Sequence, residues 1–223
     1  MTEPPFLPPP DGPQDSPSHP PPPPGRVAGL VAKSGFVQYE PGRSIFDQSV
    51  VVYLSGETSG TWPNTQITDH VGRHLGQIRR TSGPLLSGHY GDFSLYDANG
   101  SEVLRIDART PAFRVEFRIE LTANGRYVMA TFGSELTIEV NGQAVASISA
   151  RSGRTSVETV RTILSEGGRQ IGAIKSYKAG GRFMDCRVDS VMWVNPSVDG
   201  NLRRLLLAAP LVIASAEKVR RNN

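Results

Sequence analysis

The chain has 223 residues, a formal charge of +3 and 38% hydrophobic content, which allows one sizeable core and marks neither a disordered chain nor one selected for nucleic acid by charge alone. Its basic residues are 20 Arg and 4 Lys, a skew that reflects genome composition before chemistry. The single cysteine, Cys186, excludes an internal disulfide, and the 4 histidines offer no Cys/His cluster at zinc spacing.

Residues 1–24 hold twelve of the eighteen prolines, including the run Pro20 to Pro24, and no Lys or Arg precedes Arg26. Proline fixes φ and removes a donor, so this stretch is expected to be extended, in polyproline II where locally ordered. The division is therefore a disordered tail over 1–25 and one domain over 26–223. PxxP spacings such as Pro5 to Pro8 and Pro17 to Pro20 would suit an aromatic groove on a protein partner.

From about Arg26 the sequence becomes short apolar alternations punctuated by glycine. Five segments align on a glycine: DHVGRHLGQI, DANGSEVLRI, TANGRYVMAT, EVNGQAVASI and SEGGRQIGAI, centred on Gly72, Gly100, Gly125, Gly142 and Gly168. Leu75, Val103, Val128, Val145 or Ile171 stands three residues later. Polar turns ending in such glycines predict hairpins, because tight hairpin turns demand positive φ. Five hairpins predict about ten strands at ordinary lengths. The glycine spacings are too irregular for a solenoid or propeller, and a closed barrel disposes of exposed edges.

The stretch Phe183 to Val194 predicts a strand with two faces: Met184, Cys186, Val188, Ser190, Met192 and Val194 on one, Phe183, Asp185, Arg187 and Asp189 on the other. Cys186 is expected in the core. Beyond it, NLRRLLLAAPLVIASA, from Asn201 to Ala216, is apolar on every side of a helix, yet its uncharged run is shorter than the ~20 residues of a membrane span. It should be enclosed by protein. Asp199 is placed to cap its free amides. Pro210 should kink the axis near Leu206 and Leu207.

These features resemble the superfamily of phospholipid scramblases, LURP-one-related proteins and the tubby C-terminal domain. The resemblance rests on repeated turn-strand units such as FSLYDANGSEVLRI and on the block FMDCRVDSVMWVNPSVDGNLRRLLLAAPLVIASA, and it spans roughly residues 26 to 216. It implies an all-β fold with one buried helix: a closed antiparallel barrel of about twelve strands around the hydrophobic C-terminal helix. The scramblase pattern also implies calcium near the acidic strand, at Asp189, Asn195 and Asp199. Arg187, standing where the family has another acid, opposes a cation there, so calcium is disfavoured.

The tubby domain's lipid recognition implies an anionic-lipid site on a basic barrel wall. Between Arg151 and Arg187 eight basic residues face three acidic ones, and Arg161, Arg169, Lys175, Lys178 and Arg182 are the candidate lipid or anion ligands. Five excess charges at ~1 kcal/mol each give only sub-millimolar binding. Recruitment then needs a headgroup pocket or a second contact. The functional expectation is a non-enzymatic, scramblase-like protein binding anionic phospholipid or a membrane surface. The alternative is an interaction scaffold acting through the proline-rich tail.

Nucleic-acid binding ranks third and is not expected, since only Tyr177 and Phe183 interleave the charges for stacking. His70 and His74 flank a predicted turn but lack a third ligand. No nucleophile elbow, phosphate loop or dinucleotide motif is present. The amino terminus lacks a basic region followed by an apolar stretch, which points to the cytoplasm, with peripheral placement at the inner face of the plasma membrane.

Overall fold

The computed structural model describes residues 24–39, 42, 44–55, 64–81, 89–109, 116–123, 126–132, 136–151, 158–178 and 188–214. A helix, α1 (Pro24–Ser34), precedes twelve strands: β1 (Val50–Ser55), β2 (Thr65–Thr68), β3 (His74–Arg80), β4 (His89–Asp97), β5 (Glu102–Arg109), β6 (Glu116–Ala123), β7 (Arg126–Phe132), β8 (Thr137–Val140), β9 (Gln143–Arg151), β10 (Glu158–Ser165), β11 (Gln170–Lys178) and β12 (Val188–Val194). The helix α2 (Gly200–Leu206) follows, and 209–214 are helical again. The strands form one large antiparallel sheet in which each pairs with its neighbours in the chain, and β1 pairs with both β2 and β12.

The aligned glycines lie between paired strands, as the repeat predicts. Gly72, Gly100, Gly142 and Gly168 all adopt positive φ, between 74° and 92°, and Gly125 falls outside the described residues. Three of the turns share one hydrogen-bond pattern. Asp69, Asp97 and Ser165 each accept from the glycine three residues on (3.2, 3.0 and 2.9 Å) and donate to the carbonyl four residues on. In the first two turns the aspartate Oδ1 also accepts two backbone amides, from Val71 and Arg73 and from Asn99 and Ser101. Such local acceptors are why Asp favours these positions.

The first and last repeats carry a second glycine, Gly76 and Gly172, four residues beyond the turn. Both hairpins shift register by a bulge, near Ile67/Thr68 and Ile163/Leu164. A Cβ on Gly76 would collide with the Tyr96 carbonyl oxygen, and one on Gly172 would lie 2.8 Å from that of Trp193. The bulge brings backbone against backbone, and only glycine fits.

One sheet face packs on the C-terminal segment. Leu205, Leu206, Leu207, Ala208, Ala209, Val212 and Ile213 join a single cluster with Val51, Tyr53, Ile67, Leu95, Ile106, Ile119, Ile138, Ile163, Ile174 and Met192. Of the all-round apolar segment, Leu205, Leu206, Leu207, Ala208, Ala209, Val212 and Ile213 are buried. Asp199 caps α2, its Oδ1 accepting from the amides of Asn201 (2.9 Å) and Leu202 (3.3 Å). Pro210 has no N–H to give the Leu206 carbonyl, and the helix breaks just there. Leu207 and Ala208 donate to residues three back, after which Val212 N bonds Ala208 O at 3.1 Å. Tyr53 Oη donates to the Leu207 carbonyl at 3.1 Å.

The described residues open on a helix. Residues Pro24–Ser34 form α1, where the sequence reading expected short apolar alternations. Proline suits the first helical turn, Gly35 closes the helix at φ 65°, and Val27, Leu30 and Val31 recur at the i, i+3, i+4 spacing of one apolar stripe. That stripe covers Val50, Val52, Leu54, Tyr177, Val191 and Trp193. β1 is consequently buried along its whole length, between α1 on one face and the C-terminal segment on the other.

Candidate functional site

Cross-strand partners in an antiparallel sheet point to the same face, so register decides where each candidate residue lies. Ile174 and Ile163 belong to the helix-facing cluster. Arg161 pairs with Ile174 and sits two residues from Ile163. It therefore projects to the helix-facing wall, where it is 6% exposed. Lys178, the exposed last residue of β11, has the same parity as Ile174 and stands at the rim of that wall.

The other basic candidates diverge. Lys175 lies on the opposite face, its Nζ 3.8 Å from Glu158 and over the Phe36 ring at 5.7 Å. Arg169 is exposed in the β10–β11 turn, nine residues from Lys178 along β11, or ~30 Å at the usual rise. Arg182 falls outside the described residues. The four described cations of the five candidates are thus split between two faces and two ends. Among the described candidates only Arg161 and Lys178 share a wall.

Between these two runs a row of hydroxyls that sequence reasoning did not single out. Tyr53 pairs with Ser190, Ser190 with Ser176, and Ser176 with Thr159, across β1, β12, β11 and β10. Ser176 Oγ and Ser190 Oγ are 3.0 Å apart. Burial raises the Tyr53 phenol well above its ordinary value, which keeps it a neutral donor. Period-two alternation in the Ile174–Lys178 and Ser190–Val194 stretches carries the signal, but it cannot say which strands stand side by side.

The acids of these strands lie on the other face, where each has a cation. Glu158 meets Lys175, and Asp189 meets Arg26 of α1 at 2.8 Å. Arg26 donates from Nε and Nη2 to both Asp189 oxygens, and Ser55 adds its backbone N and Oγ to Oδ1. Asp189 is 3% exposed.

The three residues considered for calcium are not brought together. Asn195 lies six residues beyond Asp189, ~20 Å along an extended chain. Its Oδ1 accepts from Ser197 N at 3.0 Å and Ser197 Oγ at 2.9 Å. Asp199 caps α2. Calcium needs six to eight oxygens converging at one point. Among the described residues no group of three or more His, Cys, Asp or Glu could hold a metal ion. Arg187 and Asp185 fall outside the described residues.

No protein-family model matches the chain, and no curated protein matches it. Among solved structures it is similar to the X-ray structure of a protein from Arabidopsis thaliana, AT5G01750, at 13% identity and a TM-score of 0.43, over 76% of this chain and 91% of that one.

Proposed function

We propose that the chain is a non-enzymatic, phospholipid scramblase-like protein that binds anionic phospholipid at a membrane surface. On this reading its sheet is a closed antiparallel barrel of the tubby and LURP-one-related kind around the C-terminal helix. The observation that carries the reading is the separation of charge across β10, β11 and β12: Arg161 and Lys178 stand on the helix-facing wall, while Glu158 and Asp189 are on the other face beside Lys175 and Arg26. Arg161 and Lys178 share that wall with the hydroxyl-bearing Tyr53, Ser190, Ser176 and Thr159. Dispersed surface charges would give weak binding, whereas converging donors give a headgroup a defined seat. On this reading contact is peripheral, at the cytoplasmic leaflet; no helix of the described residues is long and apolar enough to cross a membrane.

Flotation of the purified protein with neutral and with anionic liposomes, at low and moderate salt and with and without calcium, tests the proposal. The expected result is flotation with anionic vesicles only, weakened by salt and indifferent to calcium. No flotation in any condition overturns it and favours a scaffold acting through the proline-rich tail.

A further inference from the structure

We infer that α1 is a releasable cover, which on an anionic bilayer leaves β1 and β12 and lies in the leaflet surface, and which the Arg26–Asp189 pair holds down until then. This rests on the membrane reading and supplies the second contact that attachment by charge alone lacks. The stripe of Val27, Leu30 and Val31 covers Val50, Val52, Leu54, Val191 and Trp193 on the outer wall. The other side of the helix is small or basic, with Ala28, Gly29, Ala32 and Lys33 exposed. Arg26 and Lys33, seven residues apart, stand on one border of the stripe. A basic helix with one apolar stripe suits a bilayer interface, with its apolar side among the acyl chains and its cations among the phosphates.

Charge, fit and exposure all favour such an exchange. No acid stands between Asp15 and Glu40, so Arg26 takes its carboxylate from β12, and lipid phosphate can replace that partner with bonds of the same charge-assisted kind. Tyr177, in the cluster that α1 joins, is 8% exposed, yet its hydroxyl has no hydrogen-bond partner among the described residues. Burying an unpaired hydroxyl works against the docked state. Just beyond the helix, Val37 is 64% and Tyr39 57% exposed, two of the three exposed large hydrophobics among the described residues. Tyrosine is at home at a bilayer interface. In water the stripe and the wall have only each other, whereas a leaflet receives both.

The experiment uses the full chain and phosphatidylcholine vesicles carrying phosphatidylserine. A Cβ on Gly72 would lie 3.9 Å from that of Val27, the Cβ spacing of a disulfide. Val27→Cys with Gly72→Cys, in a Cys186→Ser background, therefore pins α1 when oxidised. Flotation of the oxidised form should be weaker than that of its own reduced form by at least about tenfold. Asp189→Asn ends the ion pair while its Oδ1 still accepts from Ser55, and should bind vesicles about tenfold more tightly than the wild type, as for loss of a charge-assisted contact on the docked side. In a Trp62→Phe background, brominated lipid should quench Trp193 once vesicles are bound. Gly72 has positive φ, which strains a cysteine; if the pinned variant fails to fold, Asp189→Asn and the quenching decide.

Equal flotation of the oxidised and reduced forms would keep the membrane reading and overturn the release of α1. So would an Asp189→Asn variant that binds no more tightly than the wild type, or flotation that leaves Trp193 unquenched. Flotation by Asp189→Asn but not by the wild type would uphold the release, with the ion pair holding α1 closed. Flotation by no form would remove both the membrane reading and this one.

Discussion

Single side chains on the α1-covered face show how local chemistry ties the fold together. Asp189 is almost fully buried and depends on Arg26, whose side chain is 37% exposed. Arg26→Met should cost about 1–3 kcal/mol, less than the ~3–5 of a fully buried pair because solvent screens the exposed partner. Adding Asp189→Asn should return part of that loss, and urea denaturation of the two single variants and the double variant measures both. Tyr177 offers a pH test. Burial first and the Glu158 carboxylate second push its phenol from 10.0 up to about 12. The unfolded chain releases this proton first, so the contribution to stability is complete below pH 10 and is lost as pH rises through about 12. Tyr177→Phe should flatten that loss in denaturation series run below pH 10 and near pH 12.

Among the elements, the C-terminal segment bears most on folding and α1 on the outer wall. Leu206 is 0% exposed and lies at the break before Pro210. Leu206→Asp should abolish cooperative folding, since a carboxylate would have no water or partner in the cluster. A soluble variant with a sharp melt would refute the buried-segment account. Asp199→Ala should cost ~1 kcal/mol through the lost cap, read as a lower urea midpoint with an unchanged slope. At the break, Tyr53 of β1 donates to the Leu207 carbonyl, which ties the C-terminal segment to the sheet.

For the molecule as a whole, the helix-facing core and the α1 cluster are two apolar layers on either side of β1. Removing residues 1–23 should leave the melting temperature unchanged, since among the described residues those packed on the outer wall begin with Arg26 and Val27. Removing residues 1–34 uncovers Val50, Val52, Leu54, Val191 and Trp193 and strips Arg26 from Asp189. The expected outcome is a clear drop in melting temperature with a red-shifted tryptophan emission, because Trp193 is one of only two tryptophans and α1 covers it. An unchanged spectrum and melt would mean that α1 contributes nothing to the domain.

The sequence by itself determined the hairpins, the cap and the kink. Each depends on chemistry within a few residues: a glycine that accepts positive φ, an aspartate beside free amides, a proline without an N–H. It also determined that an all-round apolar segment must be enclosed. The helix α1 was legible in the spacing of Val27, Leu30 and Val31, but Gly25, Gly29 and the adjacent prolines masked it. Only the tertiary structure decided the composition of the candidate site. Counting charges from Arg151 to Arg187 suggested one basic face, yet strand parity sends Arg161 and Lys175 to opposite faces, and the length of β11 separates Arg169 from Lys178. The row joining Tyr53, Thr159, Ser176 and Ser190 unites strands more than a hundred residues apart in the chain. Register alone sets such proximity, and register follows from packing of the whole sheet, which no local pattern encodes.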